Sequence, residues 1–562
     1  WIWAYGMLMA YIFVKIYPEL FNLSLKEKRT IFVFLMGYCV LALLPDAART
    51  QRNLVAVLLL VLATFTVLSF GAVFTKRKNL ILMTGGFLIA GILFNMYYQY
   101  SYEKDYLSEF SDQGEALDKL ETGTDLAVLK TGDESVYRYD QMGTHSYENS
   151  SMQTGTNGTS YYFSVASGDI TNFFNEVDLN TPWDYHYENL DSRTILDRLA
   201  AVKYFVVKAG EEEYLPYGYD TLAAEVEKND KLYRAYECKN ALPIGYTYDS
   251  YIPEEKYAKM STVEKQQALL QGVILSNSTV PETTSEFNDR EVPYKLVTGS
   301  GCREKDGKLI VTKENAQAKL VFDGLDECET YLITEGVDYE ALSPRELISD
   351  KKWSKMTLYE QKKIQYENST WRYWKESQKA YIDVTGQFLD KTISIFTDKY
   401  NAYSGRSDFL CNTGYSVKGK KSITLTFENT GVYSYKNMKV VCQPIENIES
   451  QTTKLGAESL ENVEIKNHEL TGNISVSKDK VLVISLPYSK GFQAYVDGQK
   501  TELKQANTMY MALELKKGAH EIRLTYCTPY LKAGLILTCA GVLCYICVVL
   551  AYKKKRGKKK HG

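Results

Sequence analysis

Histidine is scarce. Five occur in 562 residues, at positions 145, 186, 468, 520 and 561, and they do not fall at the spacings of a zinc site. The chain also lacks a GxSxG elbow, a Walker-type phosphate loop and an HExxH pair. A soluble serine hydrolase, P-loop NTPase or zinc protease is therefore not supported. There is no periodic repeat and no charged leader, and Trp1 already lies in an apolar segment. The expectation is that an N-terminal fragment of the whole protein precedes it.

Mean hydropathy is −0.28, an average that hides a split. Residues 1–100 are mostly apolar, 101–530 are polar and rich in tyrosine, and 531–552 are apolar again. A membrane span needs about 20 mostly apolar residues, which predicts helices near 1–17, 30–45, 53–75, 79–98 and 530–552. Lys26, Lys28 and Arg29, then Lys76, Arg77 and Lys78, and finally the tail Lys553–Lys560 are basic. Basic segments stay on the cytoplasmic side, and five spans satisfy all three groups. Residues 99–529 are then expected outside a bacterial cell membrane, with the C-terminal tail inside.

Charge follows the same division. Residues 1–100 hold nine basic and three acidic side chains, and 531–562 hold eight basic and none acidic. The whole-chain charge of −3 leaves about −17 on the region between. An acidic outer region argues against nucleic acid as a partner.

The expected fold class is a multi-spanning α-helical membrane region, a large extracytoplasmic α+β and β-sandwich region, and a C-terminal transmembrane helix. The predicted domains are 1–100 with four spans, 101–245 of mixed α/β character, 246–528 rich in β-sandwich strands, and 529–562 with the last span and its basic tail. Residues 101–122 read as a polar helix. "DSRTILDRLA" reads as a helix with Asp191 as N-cap candidate. "KLIVTK", "AKLVFDGL", "SITLTFE", "VLVISLP" and "HEIRLTY" are short alternating runs between turn residues. A helical insert interrupts them near 341–366. Asp497-Gly498 joins two alternating runs and predicts a tight hairpin.

Ten cysteines are present. Cys544 and Cys547 have CxxC spacing on a lipid-embedded helix, which does not favour redox or metal chemistry. Cys302 with Cys328, and Cys411 with Cys442, are spaced to bridge neighbouring strands; free buried thiols fit equally well.

"YSKGFQAYVDGQK", "GAHEIRLTYCTPYLKAGLILT", "NSSMQTGTNGTSYYFSVASGDITNFF" and "LDRLAAVKYFVVK", in that set, resemble the bacterial YfhO-type membrane proteins over the whole chain. The resemblance implies a large multi-spanning protein similar to GT-C-type glycosyltransferases. Such a protein moves a sugar from an undecaprenyl-phosphate carrier to an envelope polymer such as lipoteichoic acid. The acidic catalytic loop of that class lies near the N-terminus and is not in this chain, so no catalytic residue is carried over. The implied partners are a lipid-linked sugar donor, a polymer acceptor and the bilayer.

Glycosyl transfer of this kind needs a base for the acceptor hydroxyl and cations for the leaving phosphate. Asp46, Arg49 and Arg52 in "LPDAARTQRN" stand at the depth of a carrier phosphate, and arginine forks suit phosphate; ordinary interfacial arginines are the other reading. Tyr161, Tyr162 and Trp183 are candidates to stack on sugars, with Asn149 and Asn157 for hydroxyls; a polar loop with inward-packed aromatics is the alternative. No cofactor is identified. A divalent metal would suit a phosphate leaving group, but no ligand set is visible. A non-enzymatic membrane protein, either a flippase partner or a glycan-binding scaffold, is the competing function. An anchored carbohydrate-binding receptor is a third, disfavoured by four upstream spans.

Overall fold

The computed structural model describes residues 2–43, 51–70, 75–100, 120–142, 149–179, 185–369, 378–386, 389–401 and 403–558, with single residues 73 and 115. It divides into two compact units, Trp1–Lys119 and Leu120–Gly562.

The first unit is helical: Ile2–Ile16, Leu25–Leu43, Gln51–Leu68 and Arg77–Tyr100, with a 3-10 turn Tyr17–Asn22 after the first. Ser24 starts the second helix. Its hydroxyl accepts from the Glu27 N–H at 3.3 Å, and Glu27 returns a carboxylate to the Ser24 N–H at 2.7 Å, satisfying two end donors reciprocally. The Tyr17 hydroxyl meets Thr84 Oγ1 at 2.8 Å, and Phe21 packs edge-on against Phe70. Among the described residues, two helices are long and apolar enough to cross a membrane, through Arg77–Phe94 and Leu531–Lys553; Leu54–Leu68 is apolar but shorter.

The second unit begins with a four-stranded sheet. Arg138–Gln141 runs parallel to Val202–Lys208, followed by Lys231–Cys238 and Tyr219–Lys228 in antiparallel order. Strand Val202–Lys208 is buried along most of its length, which explains the apolar run Tyr204–Val207 within it. Helix Thr194–Leu199 precedes it, and here the expected cap is corrected. Asp191 is not the cap. It sits at φ 62°, and its carboxylate pairs with Arg193 at 3.2 Å and Lys391 at 2.8 Å. The Thr194 N–H is taken at 3.0 Å by Glu329, a buried carboxylate 135 residues away. A tertiary acceptor replaces the local one because the helix start is buried, and each end donor there still needs a partner.

The middle of the unit is antiparallel. Sheets of order Arg290–Val292, Asn437–Pro444, Cys328–Glu335, Phe409–Ser416 and of order Tyr294–Thr298, Ala316–Phe322, Ser422–Phe427, Lys379–Thr385, Asp390–Phe396 bury side chains in one shared core. Strand Ala316–Phe322 alternates buried and exposed at every position, the mark of a sheet with one wet face. Helices Asp350–Trp353 and Leu358–Asn368 form the insert. The polar segment 101–122 lies almost wholly outside the described residues.

The last two sheets precede helix Leu531–Lys558 in the chain. Glu461–Lys466, Glu469–Val476, Gly518–Tyr526, Phe492–Val496 and Gln499–Thr501 make one. Lys504–Ala506, Tyr510–Leu515, Lys480–Pro487 and Gly245–Tyr248 make the other. Gly245–Tyr248 therefore reaches past the expected division at 245 and pairs with a strand over 200 residues later. In Lys480–Pro487, Val481 and Val483 enter the core of the preceding α/β region, while Leu482 and Ile484 enter the core between the two last sheets. One strand serves two cores, so Val481, Leu482, Val483 and Ile484 form a continuous apolar run. Asp497 and Gly498 have φ of 53° and 76°, the two left-handed residues of a type I′ hairpin turn.

All ten cysteines are free thiols. Cys411 stands opposite Leu332, and Cys328 opposite Ser416 and Pro444. The thiols that come together are Cys328 and Cys442, on adjacent strands, and their contact holds the Cys442 thiol below its usual range.

Candidate functional site

The turn after Lys480–Pro487 builds one wall of an open cleft of about 840 Å³. Tyr488 is held by its N–H to the Met509 carbonyl at 2.7 Å, and Phe492 by its N–H to Ser489 at 3.0 Å. Gly491 lies between them against the Cys527 carbonyl. A Cβ there would stand 2.5 Å from that oxygen, so only glycine fits. The Gly491 carbonyl accepts from the Cys527 N–H at 3.0 Å, and the rings of Phe492 and Tyr526 are 4.8 Å apart. These contacts tie the cleft wall to the last strand, which leads through Pro529 into helix Leu531–Lys558.

The opposite wall comes from Ser167 and Asp169 at the start of helix Gly168–Glu176. Gln505 donates to Asp169 Oδ1 at 3.1 Å, closing the cleft floor across 336 residues of sequence. The lining thus combines aromatic faces (Tyr488, Phe492, Tyr526), one carboxylate (Asp169) and one ammonium (Lys490). Pro529 is part of it, two residues before an apolar helix of membrane-spanning length. A concave, partly aromatic pocket with a few polar groups is the usual form of a small-molecule or sugar site.

A second open cleft, of about 890 Å³, lies between the α/β sheet, strand Phe409–Ser416 and helix Ile448–Gly456. Arg198 is fully buried at its edge and contacts Glu449 at 2.5 Å. The Glu449 carboxylate also accepts from Asn240, and Arg198 holds it below the ordinary carboxylate range against its own burial. Tyr217 and Tyr415 have ring centroids 5.2 Å apart, and Arg198 lies 5.7 Å from the Tyr217 ring.

The residues expected from sequence are elsewhere. Asp46, Arg49 and Trp183 lie outside the described residues; Arg52 is on helix Gln51–Leu68 with its side chain outside them. Asn149 donates to the Tyr162 carbonyl and accepts from the Tyr162 N–H, both at 3.0 Å. Asn157 donates to the Tyr137 carbonyl at 3.0 Å. Tyr161 packs on Tyr187 with centroids 4.6 Å apart, while Tyr162 is exposed beside Tyr185. Both asparagines are thus engaged with backbone. Among the described residues no group of three His, Cys, Asp or Glu side chains is placed to hold a metal. Sequence reasoning missed both clefts. Tyr488 and Lys490 lie in "YSKGFQAYVDGQK", and Ser167 and Asp169 in "NSSMQTGTNGTSYYFSVASGDITNFF", but neither segment shows that the two meet in one cleft.

A β-rich unit that ends in an apolar helix of membrane-spanning length, and a separate helical unit, define a multi-module chain. The chain belongs to the YfhO family: the family described as "Bacterial membrane protein YfhO" matches residues 1–538. It is 23% identical over 516 residues to the uncharacterized protein YfhO of Bacillus subtilis (strain 168), covering 89% of this chain and 54% of that protein. The chain therefore spans about half the length of that relative. A cryo-EM structure of the arabinofuranosyltransferase AftD from Mycobacteria is similar over 27% of this chain and 12% of that one, at 13% identity and a TM-score of 0.11.

Proposed function

We propose that this chain is the C-terminal portion of an envelope glycosyltransferase that moves a sugar from an undecaprenyl-phosphate carrier to a polymer such as lipoteichoic acid at the outer face of a bacterial membrane. The observation that carries the reading is the aromatic and charged cleft whose wall includes Pro529, at the root of the anchor helix. A lipid-linked donor diffuses in the bilayer, so its sugar is available only near that depth.

In the transfer an acceptor hydroxyl attacks the anomeric carbon. The bond to phosphate breaks, undecaprenyl phosphate leaves with the electron pair, and the hydroxyl proton passes to a base. In this reading no residue of this chain is assigned as the base. The cleft receives the acceptor end, with Tyr488 and Tyr526 against sugar faces and Asp169 and Lys490 on its polar groups. Arg49 and Arg52, with Asp46, are the proposed clamp on the carrier phosphate, and a divalent ion would assist there. The basic segments support an outer location for residues 99–529.

A second reading, a non-enzymatic glycan-binding scaffold or flippase partner, is favoured by the paired rings of Tyr217 and Tyr415 over a carboxylate-lined cleft.

The test is deletion of the full-length gene, with mass spectrometry of lipoteichoic acid and other wall polymers, and restoration with the intact gene or with Asp169→Asn and Lys490→Ala. Loss of one sugar with accumulation of its undecaprenyl-phosphate donor is the expected result, with weak restoration by the two variants at normal expression. Unchanged decoration of every polymer overturns the transferase reading and leaves the scaffold.

A further inference from the structure

Near the membrane-root cleft, several large apolar side chains have no cover. In hairpin Tyr161–Tyr162 with His186–Tyr187, Tyr161 is packed under Tyr187, but the chain then turns outward. Phe163 is 56% exposed and Val165 75%, although phenylalanine and valine are among the residues most often buried. Met152 joins them at 81%, because its helix is tied to Tyr162 through the two Asn149 hydrogen bonds. Tyr185 completes the patch: its carbonyl accepts from the Phe163 N–H at 3.0 Å, and its ring meets Tyr162 edge-on at 5.6 Å. A continuous exposed patch of this kind marks a surface that meets another apolar phase.

The position of the patch names that phase. Val165 is two residues from Ser167, a reach of at most about 7 Å, and Ser167 shares a cleft with Pro529. Tyr530 follows at 87% exposure, and then the anchor helix begins. The patch therefore borders the cleft that Pro529 also lines, across it from the start of the apolar helix. Its chemistry is that of an interfacial anchor: aliphatic and Phe side chains for the acyl boundary, and Tyr rings with a polar tip for the headgroup layer.

We propose that the tip formed by Met152, Tyr162, Phe163, Val165 and Tyr185 inserts into the headgroup and upper acyl region of the bilayer that helix Leu531–Lys558 spans. It gives the β-rich unit a second attachment, so the unit is held against the membrane at two points. This inference does not depend on the transferase reading.

The test uses the full chain in liposomes of phosphatidylcholine and phosphatidylglycerol. Phe163→Trp is compared with the parent, and the added emission is read with acyl-brominated lipids and with aqueous iodide. The expected result is a blue-shifted added emission, most of it lost in brominated lipid and little of it to iodide. Val165→Trp gives the same reading should Phe163→Trp not fold. Quenching by iodide alone overturns the proposal by leaving the tip in water. Protection from both quenchers also overturns it, since the tip would then be covered by protein.

Discussion

His520 Nδ1 lies 2.8 Å from Asp497 Oδ2, and His520 Nε2 lies 2.7 Å from the Lys516 carbonyl. Both ring nitrogens thus face acceptors, and only the imidazolium donates from both. Burial works against that charge, but the Asp497 and Lys516 contacts prevail and raise the His520 pKa above 6.5. The same contact lowers Asp497. The pair spans the turn of one hairpin and the entry of the strand beside it.

A raised histidine pKa contributes stability that is fully present below the unfolded value, near 6.5, and is lost as pH rises through the folded one. His520→Ala should therefore lower stability by about 0.5 kcal/mol below pH 6, the order of an exposed pair, and have little effect at pH 9. Carbon-13-labelled histidine NMR should give His520 a pKa above that of a free histidine side chain. A value below 6.5 would remove the imidazolium from the account.

The Asp197 carboxyl is fully buried on helix Thr194–Leu199, and neither of its oxygens meets a donor. Asp140, equally buried, accepts from Gln141, Thr159 and Leu190. Burial first, and the neighbouring Asp140 charge second, push Asp197 well above the usual carboxylate range. A proton on Asp197, donated to Asp140, satisfies both. Because the folded state holds this proton, stability falls as pH rises above about 4, until the folded pKa is passed. Asp197→Asn does not release a proton, so its melting temperature relative to the parent should increase steadily from pH 4 to pH 7. A difference independent of pH would show that Asp197 is ionised.

Gly491→Ala places a methyl carbon against the Cys527 carbonyl. The backbone on both sides is hydrogen-bonded and yields poorly, so a loss of about 1–3 kcal/mol is expected. Protease susceptibility at the junction 488–529 should rise with it, read by limited proteolysis.

Removing the Arg198 charge strands Glu449, which then keeps only Asn240. Because the Glu449 side chain is a third exposed, Arg198→Met should cost about 1–2 kcal/mol, and the double change with Glu449→Gln should recover part of that. Thermal melts of both variants test the coupling.

Cys527 is exposed, whereas Cys238, Cys302, Cys328, Cys411 and Cys442 are buried. Brief alkylation of the native protein, mapped by mass spectrometry, should modify Cys527 in this region and reach the other five only after unfolding. Failure to alkylate any of the five after unfolding without reductant would reveal a disulfide.

Much of the local plan was legible in the sequence. The apolar runs fall on helices, the alternating runs on antiparallel strands, and Asp497-Gly498 on its turn, because side-chain periodicity and positive φ are decided within a few residues. Asp191 misled because a cap is chosen by whichever acceptor is nearest. In a buried helix that acceptor was Glu329, contributed by a distant strand. The clefts were invisible for a similar reason: Asp169 and Gln505 are separated by 336 residues, and Arg198 and Glu449 by 251.

What the sequence determined by itself is which segments are apolar, which are strands, and where the chain turns. Those properties follow from each residue's own hydration and backbone preferences. What only the tertiary structure decided is that Lys480–Pro487 serves two cores, that the Asp140 and Asp197 carboxyls meet in the interior, and that a cleft opens beside Pro529. Each depends on which distant surfaces meet, since burial and charge act through space and not along the chain.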